Sequence, residues 1–251
     1  MNNQNLTHYL YGLADNALIL GQRLSELCGH GPTLETDIAL TNIALDLLGQ
    51  TRSYYQYIAN LSHENLSEDD VAFLRKEHEY RNVLLVEQPN ADFAYVITRQ
   101  YFFDVFHFLM LEKLQNSKDL NLKAIAQKSI KEVSYHKRFS GDWLKRLGDG
   151  TELSQEKVQN AVNDLWVFTN ELFETSKADQ TVLKELQIES PETFKSDYYK
   201  IISSTLEEAK LNVPEVTYFQ EGGKQGIHSE HMGYILADMQ YMQRTYPDMK
   251  W

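Results

Sequence analysis

The chain is poor in the residues that punctuate or staple a fold. Of its 251 residues only 12 are glycine, 5 are proline and one is cysteine. A single thiol, Cys28, excludes an internal disulfide and fits a reducing compartment. Scarce glycine and proline argue against many short strands, because every strand reversal needs turn residues. Long regular elements are therefore expected. No apolar run reaches the roughly 18 residues that a bilayer-spanning helix requires, so no membrane association is expected. The start, Met1-Asn2-Asn3-Gln4-Asn5, is neutral and polar, and no apolar stretch follows it. No signal peptide is expected, and the cytoplasm is the expected location. Positive charge is also short: 24 Lys and Arg against 36 Asp and Glu leave a net charge of −12. Phosphate backbones attract clustered cations, so nucleic acid is not expected as a general partner.

What the chain does have is apolar residues at three- and four-residue spacing almost throughout. Leu10, Leu13, Ala17, Leu20, Leu24 and Leu27 share one face of a first helix that stops at Gly29-His30-Gly31-Pro32. A second helix is predicted from about Thr33 to Leu61, followed by a polar break from Ser62 to Leu66. Ser67-Glu68-Asp69-Asp70 opens a third, predicted to run to about Val86. Gln88-Pro89-Asn90 precedes an aromatic-rich fourth helix, Asp92 to Asn116. A fifth is predicted from Leu120 to Leu147 and a sixth from Ser154 to Ser176. A short segment, Gln180 to Leu186, leads to Ser190-Pro191, which starts a helix to about Lys210. Leu211 to Gly226 reads as a loop, and a last helix runs from about His228 to Arg244. The pattern predicts an all-α protein: one domain, 1–251, built as an antiparallel bundle with additional C-terminal helices.

A long helical bundle raises the question of inward carboxylates. A di-iron site of the bundle type needs a Glu from two helices and Glu-x-x-His from two others, because i and i+3 side chains point the same way. Glu-x-x-His does not occur. Asp46 has Gly49 at i+3. Glu132 has Tyr135 there, with His136 one residue too far. Asp104 precedes Glu132 by 28 residues, and Asp15 and Asn16 precede Asp46 by 31 and 30. The outline is that of a two-pair carboxylate bundle with both histidines displaced, which makes Asp46, Asp104 and Glu132 vestigial positions. Buried carboxylates without metal need another positive charge, and Arg23, Arg52 and Arg99 are the candidates. A rival reading uses Asp104-Val105-Phe106-His107 as Asp-x-x-His. In it Asp104, His107, Glu132 and His136 serve a divergent di-iron oxygenase or oxidase.

Gly222-Gly223-Lys224-Gln225-Gly226 precedes a helix. Such a loop can hold a phosphate at the helix N-terminus, contact a partner, or be a plain turn. It does not have the Walker A spacing. His228 and His231, predicted on one helical face with Glu230 between them, join Gly222, Gly223 and Lys224 as candidate partner or ligand contacts. The aromatics of the fourth helix are expected in the core and at an interface.

Several blocks carry a resemblance over nearly the whole chain, from about Tyr9 to Trp251. They are Cys28-Gly29-His30-Gly31-Pro32, Leu45-Asp46-Leu47-Leu48-Gly49-Gln50, Val86-Glu87-Gln88-Pro89-Asn90, Leu165-Trp166, Leu211-Asn212-Val213-Pro214 and Gly222 through His231. They resemble the PaaC family, the smaller ferritin-like subunit of the ring-1,2-phenylacetyl-CoA epoxidase of bacterial phenylacetate degradation. The resemblance implies a ferritin-like, metal-free, non-catalytic subunit. Its partner would be the catalytic ferritin-like subunit, which holds the iron, with a reductase and small accessory subunits. The assembled complex would epoxidise phenylacetyl-CoA with NADPH and O2. No catalytic residue carries over. A homodimer is a further expectation when the partner is missing.

Overall fold

The computed structural model describes residues 3–62, 66–247 and 249. Met1, Trp251 and the 63–65 centre of the predicted polar break lie outside the described residues. Among the described residues every regular element is helical, as a ferritin-like helical fold requires. None of these helices is long and apolar enough to cross a membrane. Contacts cluster in two compact units, Met1–Glu87 with Gly222–Trp251, and Gln88–Glu221. The junctions fall at sequence blocks singled out above, Val86–Asn90 and Gly222–His231.

The first unit is built on α1 (Asn3–Ser25) and α2 (Leu34–Leu61). They run antiparallel: the Thr51 hydroxyl donates to the Ala14 carbonyl at 3.4 Å, and Gly21 packs against Leu47 and Leu48. Leu6, Leu10 and Leu20 of α1 and Ile43 and Leu47 of α2 are fully buried. Each such side chain contributes about 1.5–3 kcal/mol by leaving water. The turn between the helices is tied by Asp37, whose carboxylate accepts the Gly29 and Gly31 N–H groups at 2.9 Å each. Those backbone bonds, Gly31 first, hold the Asp37 carboxyl below its ordinary range. Thr33 caps α2 by accepting from the Thr36 N–H.

After α2 the structure departs from the periodicity. The predicted helix to Val86 stops early: α3 covers only Glu68–Phe73, opened by a Ser67–Asp70 capping box. A 3-10 turn at Glu77–Glu79, an extended stretch and a single turn, α4 (Leu84–Glu87), follow. The physical reason is a competing set of acceptors. Asp15 takes the Arg81 N–H and Asn16 takes the Val83 N–H, both at 2.8 Å, so the chain is held extended across α1.

The second unit has α5 (Phe93–Leu114) and α6 (Leu120–Gly148), capped by Asp92 and Asp119. It continues with α7 (Glu152–Trp166), α8 (Lys177–Leu186) and α9 (Lys195–Glu208). The predicted sixth helix to Ser176 ends at Trp166. Thr169 turns its hydroxyl back onto the Trp166 carbonyl, and a 3-10 turn at Asn170–Phe173 follows. Four of the α5 aromatics form the core here. Phe102 stacks edge-on against Trp166, and Phe106 against Phe173. Tyr101, Phe102, Phe103 and Phe106 are all buried. The last helix, α10 (Glu230–Thr245), belongs to the first unit.

Candidate functional site

Asp15 and Arg75 form a buried polar cluster in the first unit. Asp15 is fully buried on α1. Arg75, just past α3, meets it with both terminal nitrogens, Nη2 to Oδ1 at 2.6 Å and Nη1 to Oδ2 at 2.9 Å. The Tyr55 hydroxyl donates to Asp15 Oδ1 at 2.5 Å. The guanidinium lies over the rings of Tyr80 (4.1 Å to the centroid) and Tyr11 (4.4 Å). Burial, the largest influence, would pull the Arg75 pKa down, but the Asp15 charge and hydrogen bond together with Tyr55 and Tyr80 more than offset it, and the net shift is upward. A paired, bidentate, ring-stacked guanidinium is how a bundle compensates a buried carboxylate without metal. The principle expected from sequence is present, with different residues. Of the arginine candidates, Arg52 pairs with Glu68 at 3.2 Å, and Arg23 donates to the Glu87 carbonyl at 2.8 and 3.0 Å. Arg99 donates to the Gln88 carbonyl and, at 2.7 Å, to Asn90 Oδ1.

The second unit buries its carboxylate differently. Asp104 is fully buried on α5 and accepts from Gln100 Nε2 at 2.7 Å and Ser140 Oγ at 2.8 Å. These neutral donors replace the arginine expected there. Burial raises its pKa to about 6, opposed by the nearby His136 and by these two hydrogen bonds. His107 is buried beside it and pushed down to about 3, by burial first and by His136 second.

The helix registers correct the predicted carboxylate layout. Ser140, not Glu132, stands level with Asp104. Eight residues separate Ser140 from Glu132, roughly 12 Å along α6 at 1.5 Å per residue. Likewise Thr51, not Asp46, stands level with Ala14 and Asp15. Asp46 and Glu132 are half-buried. Among the described residues no group of three or more His, Cys, Asp or Glu converges as a metal ion would need. Among the described residues the donor set does not fit a di-iron pair: Asp15 is saturated by protein donors, and Asp104 and Glu132 are about two helical turns apart in height.

The glycine-rich segment turns inward. A Cβ on Gly223 would collide with the Asn82 carbonyl oxygen, and Gly226 needs its positive φ of 80°. This close approach delivers His228 and Ser229 to Glu87, which is fully buried. Glu87 Oε1 accepts from Asn82 Nδ2 at 2.8 Å and faces His228 Nδ1 at 2.5 Å. Oε2 accepts the Ser229 N–H at 2.8 Å and its hydroxyl at 2.6 Å. His228 Nε2 faces the Tyr80 carbonyl at 3.2 Å. Both ring nitrogens thus face acceptors, which only the imidazolium satisfies. Burial lowers the His228 pKa, but the Glu87 hydrogen bond and charge more than offset that, so the net shift is upward. The anion held at the start of α10 is therefore the chain's own Glu87. The predicted shared face of His228 and His231 does not form, because His228 precedes the N-cap, Ser229, while His231 lies inside α10. Glu230 is exposed in the first turn, and Lys224 lies in a 3-10 turn, Gly223–Gln225.

Sequence reasoning missed Arg75, Tyr55, Tyr80, Asn82 and Glu87. Only Glu87 had a signal, its place beside Gln88-Pro89-Asn90. The family model described as "Phenylacetic acid catabolic protein" matches residues 1–251. The chain belongs to this family. It is 48% identical over 246 residues to a protein of Escherichia coli (strain K12) that is named as one of the subunits of 1,2-phenylacetyl-CoA epoxidase, covering 98% of this chain and 99% of that relative. In this member of the phenylacetic acid catabolic family, two of the blocks singled out in the sequence make internal contacts, at Glu87, Gln88, Asn90, Gly223 and His228.

Proposed function

We propose that this chain is a supporting, metal-free subunit of a 1,2-phenylacetyl-CoA epoxidase in phenylacetate catabolism, acting in the cytoplasm. The full chain, 1–251, serves as one ferritin-like domain. The catalytic ferritin-like subunit holds the iron, and the complex with its reductase and small accessory subunits uses NADPH and O2. The observation that carries this reading is the treatment of the buried carboxylates. Asp15 is taken by Arg75 and Tyr55, and Asp104 by Gln100 and Ser140, so neither is free for iron. The rival di-iron reading through Asp104, His107, Glu132 and His136 is not favoured, because the α5–α6 register separates Glu132 from Asp104.

Reconstitution tests it. Epoxidase activity on phenylacetyl-CoA should require this chain, yet His107→Gln with His136→Gln in this chain should leave the activity of the assembled complex within about twofold, a barrier change under about 0.5 kcal/mol. A folded, assembled complex that loses more than about tenfold on that double substitution would show that this chain takes part in the chemistry.

A further inference from the structure

The α2 helix has two apolar faces, and the first unit uses only one. Leu40, Ile43, Leu47, Tyr54 and Ile58 are buried against the unit's interior. On the opposite side Leu34, Ile38 and Leu45 are 72%, 51% and 60% exposed. At about 100° per residue these three fall within about 40° of one another, forming a single ridge. Gly49 continues the ridge. A glycine inside a 28-residue helix weakens it, and a Cβ there would meet nothing within 4 Å. No contact among the described residues calls for the missing side chain, whereas a neighbouring helix backbone packed closely on this face would. The ridge then leads, past half-buried Leu48, into an open cleft of about 390 Å³ whose lining includes Leu18, Leu48, Ala72 and Phe73.

Charge decides what fits. Glu35 and Asp46 flank the ridge on one side, and Glu68 and Asp69 rim the cleft. Arg52 and Glu68 pair at this rim and offset each other, so Asp69 sets its sign. Two copies of this chain docked through the same face would set acidic rims against each other, so a symmetric self-pair is disfavoured. We infer that Leu34, Ile38, Leu45 and Gly49 form a docking ridge for an amphipathic helix of another subunit, apolar along its seam and flanked by lysine or arginine. The Leu48–Phe73 cleft takes one of its anchor side chains.

This inference rests on the chain being a subunit, and the test separates the two. A tagged chain is co-expressed with the other epoxidase subunits of its own organism, and the co-purified protein is quantified. Leu45→Arg, which sets a cation against an apolar seam flanked by cations, and Gly49→Leu, which blocks close approach, should each lower partner recovery at least tenfold. The melting temperature of the isolated chain should hold for Leu45→Arg and rise for Gly49→Leu, which removes a helix-weakening glycine. Gly49→Leu is read by itself should Leu45→Arg fold poorly. Leu153→Ser, at an exposed leucine of the other unit, serves as control and should retain the partner. Partner recovery at the wild-type level in both ridge variants, or equal loss in the control, would overturn the inference while leaving the subunit reading standing. A wild-type chain that recovers no partner overturns both. A wild-type chain that is dimeric alone and becomes monomeric with Leu45→Arg would assign the ridge to self-association and overturn the proposed partner.

Discussion

Asp15 in the first unit and Asp104 in the second are both fully buried on the first long helix of their hairpins, yet they are compensated in opposite ways. Asp15 has a bidentate cation, a tyrosine hydroxyl and a backbone N–H from the extended 80–83 stretch. Asp104 has an amide, a hydroxyl and a pKa of about 6. One problem, a carboxylate inside a helical bundle, thus has two solutions in one chain. One supplies positive charge from the chain itself. The other weakens the negative charge by making the acid easier to protonate. The first ties a long irregular segment onto α1, so it fixes structure. The second engages one side chain of its own helix and one of α6, and no irregular segment, so it is the easier one to replace.

The largest expected effect lies with the ion pair. Arg75→Met leaves Asp15 charged and buried, and should destabilise the chain by about 3–5 kcal/mol. Urea unfolding at neutral pH measures this, and Asp15→Asn added to Arg75→Met should restore most of the loss. A loss under about 1 kcal/mol would place the cluster among ion pairs that contribute no more than an exposed one.

Next comes Asp104, with the opposite sign. Its folded pKa of about 6 stands above the ordinary aspartate value of 3.8. A raised carboxyl favours the fold at low pH, and that advantage is lost as pH rises through about 6. Asp104→Asn should therefore stabilise the chain by roughly 1–3 kcal/mol above pH 6, and by nothing below about pH 4. His107 works the other way: its pKa of about 3 contributes stability above 6.5 that fades as pH falls through that value. Comparing variant with wild type at each pH removes its contribution. An equal gain at both pH extremes would contradict the titration.

The Glu87 clasp should rank third. His228→Gln should cost about 1–3 kcal/mol at pH 6, where the imidazolium forms a charge-assisted bond. A raised histidine contributes stability that is full below 6.5 and lost as pH climbs through the folded pKa. The difference between wild type and variant should thus shrink toward pH 9, and a pH-independent difference would show that His228 acts as a neutral ring. Gly223→Ala probes the same clasp by sterics. It should cost about 1–3 kcal/mol at every pH, because the added carbon meets the Asn82 carbonyl.

How much of this was legible in the sequence follows from the range of the interactions. Helices α1, α2, α5 and α6 were readable because their period and their caps, Thr33, Asp92 and Asp119, are local. The missing i+3 histidines were readable for the same reason. The break at 74–83 was not, since the acceptors that hold Arg81 and Val83 extended sit 66 and 67 residues earlier on α1. The heights of Asp104 and Glu132 were not readable either. Equal spacing about a turn gives their separation in sequence but not the axial offset of α6 against α5, which the Asp104–Ser140 bond reveals. The Gly222–Gly226 loop left an anion, a partner contact and a plain turn open in the sequence; the anion met by the segment that follows it is Glu87, 142 positions from Ser229.

The most direct test of the account is the iron content of the chain purified by itself from iron-supplied cells, measured by elemental analysis beside the co-purified complex. With Asp15 held by Arg75 and Asp104 by Gln100 and Ser140, the chain alone should carry essentially no iron, and iron should appear only with its partner. About two irons per isolated chain, the complement of a di-iron bundle, would contradict it.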